Sequence, residues 1–476
     1  MVTGELLTKV EAVPFSDRGE AWSTRTVPCL LRGLEYPTHA KYDLHNGRGE
    51  LVAWAGRAPR LLQFQMLTEA CRSGSSLKSV QDQEWLTIFA ECGRSFTTNA
   101  GSCAEMVAAT SGLPVVRVLK AYGAIATDLS RIGEILSAQT PSRDQNAILS
   151  HSPLARNWIL IPRGRHVAVK IPGNFPTISI NWLISLAARR PVLLCASLQD
   201  PFTVYRLAQC LYQAGMPGNA IALCYDQADC FWQNCDQVLF SGESPDWACR
   251  NPARVKSYHH GRSKVLLAGV ELDRSHAMRL ALLATQGCGR LCTNVSAVLT
   301  DGREQTAATA LASAMTSFSV LPLRDPQAFV PCFPDRKVAL SIADRISAAI
   351  ARGARDISRD LTGDPLLVEL PDGLFLRPTV LLVDVEDPIF GTEFPFPFVT
   401  VARSHASEFV ARCRHSLIVS VIGGTRSLID ELIFEPTIDK VFHGEDFDHA
   451  YDPVDPHEGY LVDFLFQKKA VSPDGY

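Results

Sequence analysis

The chain has 476 residues, and at roughly 150 residues per domain that length leads us to expect two or three domains. Hydrophobic residues make up 46% and charged residues 20%, which is enough apolar material for a core and excludes a disordered chain. The 46 basic and 50 acidic side chains leave a net charge of −4, and without a basic block this argues against a nucleic-acid binder held by phosphate contacts. No apolar run approaches the ~18 consecutive residues of a membrane span. The opening stretch, residues 1–20, carries acids and no apolar h-region of a secretory signal. A soluble, cytoplasmic protein is the expectation. The 14 cysteines are scattered without a CxxC pair, so most of them read as buried small hydrophobes and none as part of a metal site.

In chain order, residues 1–60 read as short strands and turns, among them 26–31 and 49–54. From residue 60 to 138 the pattern is helical. Val118, Tyr122, Ile125, Leu129, Ile132 and Leu136 recur at the helical period and predict one amphipathic face. The middle of the chain then alternates. Short apolar runs at 166–171, 192–195, 220–224, 237–240 and 264–268 predict strands, and helices lie between them. One of these helices spans 200–214, with Asp200 as N-cap, Pro201 at the first helical position and Gly215 as the stop. Such alternation predicts a parallel, doubly wound sheet that binds ligands at the carboxyl ends of its strands. A second α/β unit follows, with strands expected at 295–300, 379–385, 398–402 and 417–423. The boundaries expected are 1–268 for the N-terminal and cofactor unit, 269–440 for the second unit and 441–476 for a C-terminal return. In that return, YLVDFLF at 460–466 reads as a lone terminal strand, which needs a partner such as a sister subunit.

Three stretches can carry chemistry. IPGNFP at 171–176 follows a strand and precedes a helix, so Asn174 and nearby N–H groups can face a ligand oxygen, as an oxyanion hole requires. The plain alternative is a Pro/Gly turn with Asn174 as a cap. VLFSGES at 238–244 ends a strand in small residues. Ser241, Gly242 and Ser244 would open a helix whose N-terminus can hold a diphosphate. TQGCGRLCTNV at 285–295 carries two cysteines through a glycine turn into a strand. A thiol there can be exposed, with its pKa lowered by Arg290 and by neighbouring dipoles.

Taken together and in order, these stretches resemble the aldehyde dehydrogenase superfamily. IPGNFP is similar to its PWNFP-type oxyanion motif, VLFSGES to its FTGST cofactor turn, and GCGRLCTNVSAVL to its catalytic segment, which implies that Cys292 is the nucleophile. AGMPGNAIALC at 214–224 and GTEFPFPFVTVAR at 391–403 are similar to two further stretches, and the second implies that Glu393 contacts the nicotinamide ribose. Within the superfamily the chain most resembles the fatty acyl-CoA reductases of bacterial bioluminescence, the LuxC family. The features shared with that family are the GN-x-P turn, DPFT at 200–203, a cysteine near the same point and the terminal YLVDF.

The resemblance implies an aldehyde-dehydrogenase-like α/β fold with a Rossmann-type cofactor domain and a second α/β catalytic domain. It also implies an acyl-CoA or acyl-carrier substrate, NADPH (with NADH as the alternative) and a homo-oligomer. Cys292 would form an acyl-enzyme that hydride reduces to an aldehyde, while Asn174 and the Cys292 N–H hold the oxyanion. Ser241, Gly242 and Ser244 would lie by the diphosphate. The superfamily's E-L-G-G-K base position is assigned to the stretch 264–269, where Leu266 or a neighbour stands in place of the glutamate, and the absence of an acid favours thioester chemistry over hydrolysis. Its cofactor lysine falls at Cys195, and Arg290 replaces a glutamine. The alternatives are an aldehyde dehydrogenase with a substitute base, a degenerate partner subunit, and a thiol acyltransferase pairing Cys292 with His259 or His260.

Overall fold

Apolar runs with no polar alternation become strands buried on both faces, because the helices that cross over between parallel strands cover both sides of the sheet. The computed structural model describes residues 26–152, 158–243, 245–444, 449 and 451–472. Seven strands form the first sheet: β1 (Cys29–Leu31), β2 (Leu34–Tyr36), β3 (Val167–Ile171), β4 (Val192–Ala196), β5 (Ile221–Tyr225), β6 (Gln237–Ser241) and β7 (Val255–Tyr258). Their order is β7-β6-β3-β4-β5-β1-β2. Strands β3 to β7 are mutually parallel, while β1 and β2 add on antiparallel at one edge. The chain winds outward from β3 through β4 and β5, then returns to the other side of β3 to lay down β6. Connections leaving β3 and β6 therefore diverge, and a crevice opens at their carboxyl ends.

The second sheet holds β8 (Ser263–Ala268), β9 (Val295–Thr300), β10 (Arg355–Asp356), β11 (Thr379–Leu382), β12 (Phe398–Arg403), β13 (Ser416–Gly423) and β14 (Ile438–His443). Its order is β10-β11-β12-β9-β8-β13-β14, parallel except for β10. Both units are thus α/β, as the alternation predicts. One strand changes sides: β8, grouped by sequence with the first unit, is an inner strand of the second sheet. The chain passes between the sheets at residues 259–262.

The helical stretch 60–138 packs against the first sheet. Val118, Tyr122, Ile125 and Leu129 are buried on the helix Val115–Ser130, and Ile132 and Leu136 are buried on the next helix, Ile132–Ala138. The single face expected is therefore split at Arg131. There the guanidinium bonds Asp128 at 3.0 Å and Asp452 at 2.7 Å, which ties the break to the C-terminal return. Among the described residues no single helix is long and apolar enough to cross a membrane.

The end of the chain departs from expectation. Residues Leu461–Leu465 form a helix, and the strand is Phe466–Ala470, paired antiparallel with Trp158–Pro162 of the same chain. Leu461, Val462, Leu465 and Phe466 are buried in the first core. A seven-residue run that is apolar on both faces does not distinguish a strand from a helix, and the spacing of Leu461, Val462 and Leu465 fits a helical stripe. The apolar run is thus covered within its own chain and needs no sister subunit.

Asp200 caps the helix Pro201–Gln213 as expected. Its carboxylate accepts from the Thr203 N–H at 3.0 Å and from the Thr203 hydroxyl at 2.6 Å. Burial pushes Asp200 up to about 6, so its charged form is disfavoured in the fold. In urea unfolding, Asp200→Ala should cost about 1–2 kcal/mol and Asp200→Asn only a few tenths, because asparagine caps about as well as aspartate. Stability of the native chain should also fall as pH rises from about 4 to 6, the interval in which the unfolded carboxylate ionises before the folded one, and Asp200→Asn should flatten that slope. Equal losses for Ala and Asn would show that the Thr203 bonds do not secure the helix start.

Candidate active site

The crevice beyond β3 and β6 deepens into a cavity of about 420 Å³ between the two sheets. Asn174, Ser241, Gly242, Cys292 and Glu393, spread over more than two hundred residues of sequence, all line it. Ser244 lies outside the described residues. A wider, shallow depression of about 810 Å³, lined by Arg165, Asp236 and Arg254 among others, shares none of these residues.

Cys292 sits in the turn between the 3-10 segment Gln286–Gly289 and β9. Asn294 stitches this turn: its Oδ1 accepts from the Leu291 N–H at 2.7 Å, and its Nδ2 donates to the carbonyls of Leu283 and Gln286 at 2.6 and 2.9 Å. The Cys292 carbonyl accepts from the Ser263 hydroxyl at 3.1 Å. Gly261 backs directly onto it, since a Cβ at 261 would stand 1.8 Å from that carbonyl oxygen. The Cys292 residue is exposed, whereas Cys288 is fully buried. Solvent reaches Cys292 from the cavity, yet protein crowds it on the other sides. This burial pushes the thiol up to about 12, and the Glu458 and Glu393 carboxylates add to the shift against the N–H groups of Cys292 and Thr293. The shift favours the protonated thiol, so nucleophilic use of it calls for a proton acceptor.

Arg290 does not activate Cys292. Its buried guanidinium donates to the carbonyls of Ser111 at 2.6 Å, Cys332 at 3.0 Å and Pro395 at 3.3 Å, and it acts electrostatically on Cys288. It is a clamp across three segments. Asn174 donates through Nδ2 to the Arg290 carbonyl at 2.8 Å, two residues before Cys292, while its Oδ1 is buried with no hydrogen-bond partner among the described residues. One amide N–H is thus spent on orientation and the other remains for a ligand.

The turn after β6 differs from expectation. The helix that follows is a single turn, Asp246–Cys249, and the Gly242 N–H donates to the Tyr258 carbonyl at 3.0 Å, so no helix N-terminus faces the crevice here. Gly242 does leave an open cradle: its φ is +107°, and the nearest atom to a Cβ placed there is Lys170 Nζ at 4.0 Å. Lys170 stands on β3 in register with Cys195 on β4, its ammonium 4.4 Å from the Phe240 ring centre. An open glycine edge beside a cation fits an anionic nucleotide. Glu393 is held on the far side of the cavity, accepting from the Arg262 N–H and from His260 Nδ1 at 3.1 Å.

Leu266 is not at a base position. It lies mid-strand in β8 and is fully buried in the core of the second sheet, so the lack of an acid there is no argument against hydrolysis. The residues that reach the cavity are instead Tyr258 at the end of β7, His259 and His260 on the passage between sheets, and Tyr451, His457 and Glu458 on the C-terminal return. Glu458 is the acid that sequence reasoning missed, because the segment around it matches no motif. Its backbone carbonyl is anchored by Lys256 Nζ at 2.9 Å, and burial pushes its carboxyl up to about 7.

No protein-family model matches the chain, and no curated protein matches it by sequence. Many solved structures match it in three dimensions. An aldehyde dehydrogenase from Brucella melitensis biovar abortus superposes with a TM-score of 0.76 at 15% identity, over 93% of this chain and 96% of that one. The indole-3-acetaldehyde dehydrogenase of P. syringae, in complex with NAD+ and IAA, gives 0.78 at 18% identity over 93% and 96%. A 3,6-anhydro-L-galactose dehydrogenase in complex with NAP gives 0.76 at 16% identity over 94% and 99%. The chain has the aldehyde dehydrogenase fold.

The tight contact at Gly261 yields a test. Gly261→Ala should displace the Cys292 turn, lowering stability by about 1–3 kcal/mol, as overpacking does, and slowing alkylation of Cys292 in peptide-resolved mass spectrometry. Native stability together with native alkylation would show that the carbonyl of Cys292 has room to move.

Proposed function

We propose that the chain is a nicotinamide-dependent oxidoreductase that works on a carbonyl carbon through a covalent bond to Cys292. The observation that carries this reading is the position of the Cys292 thiol, the exposed cysteine on the wall of a cavity that opens at the switch point of a doubly wound sheet. The likeness to aldehyde dehydrogenases supports the same chemistry, and two of the neighbours carry NAD+ or NAP.

Nicotinamide supplies the hydride acceptor or donor when bound. Ser241, the open edge of Gly242, and the Lys170 ammonium would hold its phosphates, and Glu393 would take its ribose. The protein's own part is covalent. Sulfur bonds to the carbonyl carbon, and the charge that develops on oxygen meets the free N–H of Asn174 and the backbone N–H of Cys292. The acyl thioester on Cys292 is common to two reactions: oxidation of an aldehyde, with water as the final acyl acceptor, and reduction of an acyl thioester such as acyl-CoA to an aldehyde. The structural neighbours favour the first. The resemblance to fatty acyl-CoA reductases favours the second and remains the reading to test against it.

Following nicotinamide absorbance with a panel of aldehydes and acyl-CoAs separates the two. The expected outcome is aldehyde-dependent reduction of NAD+ or NADP+ with release of acid. Activity confined to acyl-CoA and reduced cofactor would select the reductase, and no turnover with either would leave a non-catalytic partner. Cys292→Ala should abolish acyl labelling while Cys288→Ala keeps most of it, and equal loss in both would remove Cys292 from its role. Asn174→Ala should lower kcat about a hundredfold, the scale of one oxyanion donor. An unchanged kcat would reduce Asn174 to an anchor of the Arg290 carbonyl.

A further inference from the structure

The amino ends of the first sheet's parallel strands face away from the crevice at their carboxyl ends. A five-residue strand rises about 3.3 Å per residue, so the two ends of β3 or β6 stand about 16 Å apart. Arginines stand just before these strands: Arg163 and Arg165 before β3, Arg190 before β4 and Arg254 before β7. Arg163, Arg165 and Arg254 line the depression of about 810 Å³ at this end, a volume typical of small-molecule sites, and Asp236 is the one acid lining it. In a chain of net charge −4 this is a local excess of cations. Backbone contacts fix where the guanidiniums stand. The Arg165 N–H donates to Asp236 Oδ2 at 2.6 Å, and Gly164, at φ +92°, leaves no room for a Cβ against Asp236. Arg163 Nε donates to the Phe466 carbonyl at 2.9 Å, and its terminal nitrogens have no partner among the described residues. Arg254 spends Nε on the Cys235 carbonyl at 2.7 Å and one terminal nitrogen on the Trp232 carbonyl at 2.5 Å, which leaves the other.

Arg190 lies against the same loop and is only 4% exposed. Its guanidinium donates to the Gly164 carbonyl at 2.6 Å, while its Nε has no partner among the described residues, and the nearby Asp236 pairs with Arg165 instead. A buried cation without a counter-charge is costly, and an anion resting on the loop would supply one. Gln237, on the wall of the depression and equally buried, has an Oε1 without a hydrogen-bond partner among the described residues, a second unmet polar group in the same place. We propose that this depression binds a phosphate-bearing small anion, held by Arg163, Arg165 and Arg254 with Arg190 behind them. Guanidinium forks grip phosphate oxygens in pairs. A tetrahedral group can meet forks that arrive from separate segments, which a planar carboxylate with two oxygens does less well. The volume exceeds that of a phosphate and leaves room for an organic portion. This site is independent of the covalent role of Cys292.

The test titrates the full-length protein by calorimetry with inorganic pyrophosphate and, in a second arm, with fructose 1,6-bisphosphate, while hydrogen–deuterium exchange locates the bound anion. The expected result is a Kd below about 1 mM for at least one of the two, weakened by added salt. Exchange should slow in residues 163–167 and 233–238. Tighter binding of the sugar bisphosphate identifies an organic phosphate as the ligand, and tighter binding of pyrophosphate identifies the free anion. Arg163→Gln and Arg165→Gln should each weaken binding about fivefold or more. Citrate, which carries a similar charge on planar carboxylates, should bind about tenfold more weakly than the better phosphate. The proposal is overturned if neither phosphate binds at about 5 mM. Protection confined to residues 170–174 and 241–243 also overturns it, because the anion would then sit in the crevice beside Lys170. Citrate binding as tightly as the phosphates removes phosphate as the ligand. These three results come from the wild-type protein and do not depend on how the variants fold. Unchanged affinity in both arginine variants would likewise remove the depression as the site.

Discussion

The carbonyl oxygen of Cys292 and the backbone of Gly261 occupy adjoining space with no room for a methyl group between them. That contact joins the passage between the two sheets to the turn that presents the thiol. It places the Cys292 thiol of the second unit at the mouth of the crevice in the first. Ser263 and Asn294 add hydrogen bonds to the same turn, so the position of the sulfur is set by backbone packing on several sides. A turn held this way stays in place while its side chain reaches an open cavity. Pre-organised catalysis depends on that combination.

The electrostatics of the cavity follow from its construction. Packing two sheets around a narrow space desolvates what lines it, and the desolvation raises the thiol and the Glu458 carboxyl together. The two buried guanidinium and ammonium groups nearby are committed elsewhere, Arg290 to backbone carbonyls and Lys264 to Ser416 at 2.6 Å and the Arg262 carbonyl at 3.1 Å.

The wall of the cavity beside β6 is not the helix N-terminus that its motif suggests. The turn after β6 leads into one helical turn only, and its first glycine N–H is spent on Tyr258. The cation on that side is Lys170, one strand over from Cys195. Adjacent parallel strands place residues of equal register about 5 Å apart, so Lys170 and Cys195 border the same space.

Much of this was legible in the sequence. Apolar runs at 192–196 and 221–225 specify buried parallel strands wherever they are placed, and Asp200 followed by Pro201 specifies a helix start by local chemistry alone. Short motifs marked Asn174 and Cys292 because each sits in a turn directly next to a strand, a local property. What stayed hidden was set by contacts between distant segments. Strand β8 joined the second sheet through its neighbours β9 and β13, which no local pattern reveals, and with that Leu266 left the site for the core. The run 460–466 is apolar on both faces and became a helix only by packing against the first core. Glu458 has no distinguishing neighbours in sequence. It became a site residue because the C-terminal return folds back over the cavity, where tertiary burial alone gives a carboxyl group a proton affinity near neutrality.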